Sequence, residues 1–250
     1  MKYYHPRYLF RRYEIMRRVK KGGHFLEIGP GNLGLAQDLL SKFCGGTLID
    51  FNTTDVEQIY AKLNNTYKER LKLIIADFCQ YEFNQQFDCV IACEVLEHVE
   101  DDRIFLQKAN DLLTGFGQLI LSVPAREKYW SKDDEIVGHY RRYEKQDLYE
   151  KLIETGYSQI KIAAYGFPFQ NLVRLGRISL AGLQYNKKVK WDQKKQSQQS
   201  AFMIKNNPYI NLLGLVLNKY TIYPLNVIAS LFNGMDWAEG YAVSAIKARI

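Results

Sequence analysis

Phe25-Leu26-Glu27-Ile28-Gly29-Pro30-Gly31-Asn32-Leu33-Gly34 is the stretch that decides the fold. An apolar strand runs into glycines and out into a helix, the opening unit of a nucleotide-binding α/β sheet. Glycine lets the backbone turn sharply and approach a ligand with no Cβ in the way. The spacing Gly29, Gly31, Gly34 also fits the dinucleotide pattern G-x-G-x-x-G, so the glycines alone leave the nucleotide open. Glu27 narrows the choice, because a carboxylate there opposes a diphosphate and suits a cationic ligand.

Outward from this loop, strands and helices alternate. The strand is read as His24–Gly29, and the helix after it carries Leu35, Ala36, Leu39, Leu40 and Phe43 on one side. Gly45–Gly46 is expected to break that helix before a strand at Thr47–Phe51. Val56, Ile59, Tyr60 and Leu63 mark the next helix, followed by strands at Leu71–Ala76 and Phe87–Cys93. A helix through Ile104, Phe105, Leu112 and Leu113 is expected to end at Gly115, before a strand at Gln118–Val123. Continuous apolar strands of this kind predict a parallel sheet covered by helices on both faces. A helix with Leu148, Leu152 and Ile153, then strands at Ser158–Ala164 and Tyr241–Ala248, complete the pattern. At the N-terminus, Leu9, Tyr13, Met16 and Val19 recur at helical spacing, with arginines expected on the opposite, solvated side.

The 250 residues, 47% hydrophobic and 24% charged, suit a single α/β domain. It divides into an N-terminal amphipathic helix (1–22), a core (23–166), an inserted helical cap (167–236) and a last strand (237–250). The insert is far longer than an ordinary crossover and holds apolar segments at Leu172–Leu183, Ile210–Leu217 and Ile222–Phe232 around a polar Asn186–Ser200. No apolar run reaches the roughly 18–20 residues of a membrane-spanning helix. Cys44, Cys79, Cys89 and Cys93 form no C-x-x-C pair, which suits a reducing cytoplasm. The net charge of +7 gathers at the N-terminus and at Lys187–Lys195. These basic clusters, beside the aromatic insert, leave open a lipid-like acceptor or a peripheral contact at the inner face of a membrane. No nucleic-acid motif accompanies them, and a nucleic-acid partner is not expected.

Ligands of open α/β sheets bind outside the carboxyl ends of the strands. Four successive strand ends here carry acids. Beside Glu27 stand Asp50, followed by Phe51, where a carboxylate can take both hydroxyls of a ribose; Asp77, followed by Phe78; and Glu94. Together with Leu26–Gly34 and the run Asp88–Val99, which ends E-V-L-E-H-V, they resemble the ordered motifs of class I S-adenosylmethionine (SAM)-dependent methyltransferases, in the branch of the ubiquinone-biosynthesis O-methyltransferases. The resemblance covers roughly residues 20–165. It implies a Rossmann-like seven-stranded sheet of order 3-2-1-4-5-7-6 with the seventh strand antiparallel. It also implies SAM as cofactor, with Glu27, Gly29, Pro30, Gly31 and Gly34 at the methionine moiety. Asp50 and Phe51 fall at the ribose, Asp77 and Phe78 at the adenine, and Glu94 at the mouth.

The chemistry has two candidate clusters. Glu94, Glu97 and His98 share one side if a helical turn begins at Glu94. The resemblance associates this E-x-x-E-H arrangement with a divalent metal, although His98 packed or hydrogen-bonded locally, with Glu94 lining the pocket, accounts for it more readily. After the fifth strand, Asp133-Asp134-Glu135 leads into Gly138-His139-Tyr140-Arg141-Arg142-Tyr143. There His139 can serve as general base and Arg142 can grip an anion, unless Asp134 pairs with them to fix the loop. The expected activity is methyl transfer to a small or lipophilic acceptor, at oxygen by family analogy. The alternatives are an NAD-dependent oxidoreductase on a similar loop, or a SAM-binding partner protein without turnover.

Overall fold

Seven strands form one sheet in the order β3-β2-β1-β4-β5-β7-β6. They are β1 Gly22–Ile28, β2 Phe43–Asp50, β3 Leu71–Ile75, β4 Phe87–Cys93, β5 Leu113–Pro124, β6 Tyr157–Ala164 and β7 Gly240–Lys247. The first five pair in parallel, and β7 runs antiparallel to both β5 and β6. This is the Rossmann-like methyltransferase order that the resemblance implies. The structure is a computed structural model and describes residues 6–51, 53–174 and 218–248. The Lys187–Lys195 cluster, Asn186–Ser200, Ile210–Leu217 and most of Leu172–Leu183 lie outside the described residues. No helix among the described residues is long and apolar enough to cross a membrane.

Among the described residues the helices include α1 Pro6–Arg18, α2 Gly34–Leu39, α3 Thr53–Ala61, α4 Asn65–Lys68, α5 Asp102–Asp111, α6 Lys132–Val137, α7 Lys145–Glu154 and α8 Tyr223–Ser230. Strand alternation divides the core. Leu26, Ile28, Val90, Ala92, Leu119 and Leu121 face Phe105 and Leu106 of α5 and Leu148 and Leu152 of α7. Phe25, Cys89, Ile91 and Ile120 face the other way, against Leu9, Phe10 and Ile15 of α1 and Leu35 and Leu39 of α2. Both faces of the central strands are therefore buried, which is why their sequences read as unbroken apolar runs.

Two boundaries differ from expectation for the same reason. Gly45 and Gly46 do not break a helix; they lie inside β2, and Phe43 opens that strand instead of closing α2. A Cβ on Gly46 would fall 2.2 Å from the Phe25 ring, so this glycine admits an aromatic neighbour from β1. Likewise Leu113 and Gly115 belong to β5, and α5 ends at Asp111. Leu113 pairs with Phe87 before the register shifts and Gln118 pairs with Cys89. The glycine marks an irregularity in a strand.

The C-terminal end of α1 is tied to the sheet. Gln118 of β5 donates to Arg18 O (2.9 Å) and to Ser244 Oγ (2.8 Å), and accepts from Lys20 N (2.9 Å). Glu14, also buried, pairs with Arg17 and Arg18. This anchoring sets which way the rest of the helix points.

Candidate active site

At the carboxyl edge the four acids follow the strand order: Asp77 after β3, Asp50 at the end of β2, Glu27 in β1 and Glu94 after β4. Gly29 and Gly31 adopt left-handed backbone (φ 65° and 52°), the conformation glycine takes without strain. A Cβ on Gly31 would meet nothing within 4 Å, so the loop leaves open space beside it. Glu27 is almost wholly buried, and its Oε2 has no hydrogen-bond partner. Burial, reinforced by Asp38 and Asp50 and opposed by Arg11, pushes its carboxyl up to about 8. A buried acid with one unpartnered oxygen, on the strand that leads into this loop, fits a cationic sulfonium or ammonium better than a phosphate.

The flanking aromatics differ from expectation. Phe78 is buried in the core, its ring 4.8 Å from Phe105 with Lys108 on its face, so it is not offered to an adenine. Phe51 is 41% exposed at the end of β2. One oxygen of Asp77 accepts from Cys79 N (2.9 Å), which shapes the turn after β3.

Glu94 does not start a helical turn. Its backbone is left-handed (φ 57°), and the only turn here is a 3₁₀ turn over Leu96–His98. Its carboxylate is directed to Arg7 (2.6 Å) and Arg11 (3.6 Å) of α1, and accepts from Ser122 Oγ (3.1 Å) and Tyr165 Oη (3.4 Å). Burial alone would raise this acid; Arg7 and Arg11 outweigh it and hold the carboxyl down to about 2. The expected metal set Glu94, Glu97 and His98 is therefore not assembled. Arg7 and Arg11, expected on a solvated face, point inward instead. Their i, i+4 spacing was the available signal, but an arginine stripe reads more readily as surface, and Tyr165 gave no signal at all.

The second cluster is a network around Asp134. Its Oδ1 accepts from His139 Nδ1 (2.9 Å) and Arg142 Nε (2.9 Å), and its Oδ2 from Ser131 N (2.9 Å). Arg142 Nη1 also donates to Ala125 O (3.1 Å). Burial would lift the Asp134 carboxyl, but His139 and Arg142 hold it below the usual range. Arg142, with its side chain 1% exposed, is committed to this network and cannot grip a substrate anion. Gly138, at φ 78°, ends α6, and Tyr140 N donates to Glu97 O (2.9 Å), bringing the loop against the end of β4. His139 is buried there beside Glu97 and His98, with its ring 4.8 Å from that of His98. Burial and His139 lower His98 to about 4, and burial with Glu94 raises Glu97 well above the carboxylate range.

Residues 26–121 match a family described as a methyltransferase domain. Over 68% of its length the chain is 23% identical to (S)-coclaurine N-methyltransferase of Papaver somniferum, and it spans about half (48%) of that relative. Among solved structures, a methyltransferase from Bacillus halodurans described as putative superposes with TM-score 0.59 at 16% identity, covering 96% of this chain and 99% of that one. Phosphoethanolamine N-methyltransferase 2 of Haemonchus contortus, in complex with SAM, gives TM-score 0.58 at 19% identity, covering 95% and 52%.

Proposed function

We propose that this chain, whose residues 26–121 match a methyltransferase domain and whose strands take the order of that fold, is a class I SAM-dependent methyltransferase that transfers the methyl group of SAM to a small-molecule acceptor at the carboxyl ends of β4 and β5. The observation that carries this is Glu27: a buried acid with an unpartnered oxygen at the end of the strand that leads into the loop where Gly31 leaves open space. Glu27 and the glycines receive the methionine end of the cofactor, Asp50 with Phe51 the ribose, and Asp77 the adenine edge. When bound, the cofactor supplies a methyl group on a positively charged sulfur. The rest of the task for this chain is alignment, which contributes much of the rate in a displacement of this kind.

Nitrogen is the acceptor atom we propose. Oxygen was expected from the quinone branch, whereas two of the relatives named above, those of Papaver somniferum and Haemonchus contortus, are N-methyltransferases. Glu94, held ionised through neutral pH by Arg7 and Arg11, can accept a hydrogen bond from an amine at the mouth.

Calorimetric titration with SAM, S-adenosylhomocysteine and NAD tests the reading. Binding of both adenosyl ligands with no binding of NAD is expected. A folded sample that binds NAD alone would mark an oxidoreductase. Turnover on matched amine and hydroxyl acceptors, read by product mass, then decides the atom. Cofactor binding with no turnover on either series would favour a SAM-binding partner protein.

A further inference from the structure

We propose that Glu97, His98 and His139 form a binding site for one divalent transition-metal ion of the zinc or ferrous class. Their ligating atoms, one from each side chain, all lie within 4.8 Å of one another. His139 Nε2 and Glu97 Oε1 are 3.7 Å apart, close to the roughly 3.4 Å between two ligands of a tetrahedral ion with bonds of about 2.0–2.1 Å. Closing the triad on an ion therefore needs side-chain adjustments of an ångström or so, with no rearrangement of the backbone.

The surroundings fix how the two imidazoles are presented. A carbonyl only accepts, so His98 donates from Nδ1 to Gly138 O (3.2 Å). Asp134, held ionised by Arg142, likewise takes the Nδ1 proton of His139 (2.9 Å). Both rings then carry the lone pair on Nε2. This is the arrangement in which metal-bound histidines are commonly held, with the far ring nitrogen bonded to a carbonyl or carboxylate. Glu97 is fully buried, and neither of its oxygens has a hydrogen-bond partner. Unsatisfied buried carboxyl oxygens are costly, and a cation that replaces the proton and is shared with the two imidazoles removes that cost.

Two imidazoles and one carboxylate favour a borderline transition ion over magnesium, which takes oxygen ligands. The set keeps Glu97 and His98 of the E-x-x-E-H run but exchanges Glu94, which is turned to the arginines of α1, for His139 from the loop after α6. A bound ion would therefore cross-link the end of β4 to that loop, beside the acceptor mouth.

The test is zinc titration by calorimetry on metal-stripped protein, together with visible absorption after cobalt(II) loading. One ion per chain is expected, with d–d bands of the intensity given by low-coordinate cobalt. Glu97→Gln and His139→Ala should each weaken zinc by more than the roughly 10–100-fold typical of losing an outer partner. Glu97→Gln is isosteric, and its metal-free form should melt no lower than the parent, which separates lost ligation from lost folding. Absence of zinc uptake and of cobalt bands in a folded sample would overturn the site, as would uptake left unchanged by both substitutions. SAM titrated into the same stripped sample reads the methyltransferase assignment independently, so either reading can fail while the other stands.

Discussion

Glu27 carries a sign that can be measured. Its carboxyl sits near 8 in the fold against 4.5 for a free glutamate, so the native state holds a proton that the unfolded chain releases earlier. In the absence of cofactor, native stability should therefore decline as pH rises from about 4.5 to 8. Glu27→Gln should remove that decline, making the variant more stable than the parent at pH 9 by a few kcal/mol, about 1.4 per pH unit at most. Urea melts at pH 5, 7 and 9 check this, and parallel profiles for the two proteins would rule it out. The glycine loop and the row of acids were legible in the sequence, because a ligand at strand ends needs particular residue types at particular spacings. The orientation of Glu94 was not, because it depends on two arginines more than 80 residues away in the chain. Nor was the commitment of Phe78 to the core, since an aromatic after a strand looks the same whether it faces a ligand or Phe105.

Among the elements, β2 and α1 give the clearest tests. Gly46→Ala puts a methyl group into the Phe25 ring and should cost about 1–3 kcal/mol, as overpacking does. Denaturant midpoints read it, and restoration of stability by a smaller residue at position 25 would confirm the contact. Gln118→Ala removes hydrogen bonds to Arg18 O, Lys20 N and Ser244 Oγ and should cost about 1–3 kcal/mol. It should also loosen α1, raising hydrogen exchange in residues 6–18 above that in β1; unchanged exchange there would show that apolar packing alone holds the helix. The strand cores were readable because both faces are buried. The glycines misled because a residue that normally punctuates a helix here serves a close approach between strands.

On the scale of the whole molecule, acid should unfold the protein through its buried carboxylates. Glu94 is held near 2 by arginines, and Asp134 lies below its usual range. Depressed groups contribute stability that is complete above their unfolded values near 4–4.5 and lost as pH falls toward 2. Glu94 alone accounts for up to about 3 kcal/mol, and Glu94→Gln should flatten the acid limb of thermal melts taken between pH 6 and 2. An unchanged limb would mean that Arg7 and Arg11 do not hold Glu94 in solution. The order of strands in the sheet also bears on how the protein is made. A ribosome delivers β1 to β5 so that each newcomer finds a waiting neighbour: β2 on β1, β3 on β2, β4 on β1, β5 on β4. β6 breaks the sequence, because its only partner among the described residues is β7, translated about 75 residues later. Throughout that interval the nascent chain carries the open edge of β5 and an unpaired β6, which makes it a natural client for a chaperone that shields strand edges.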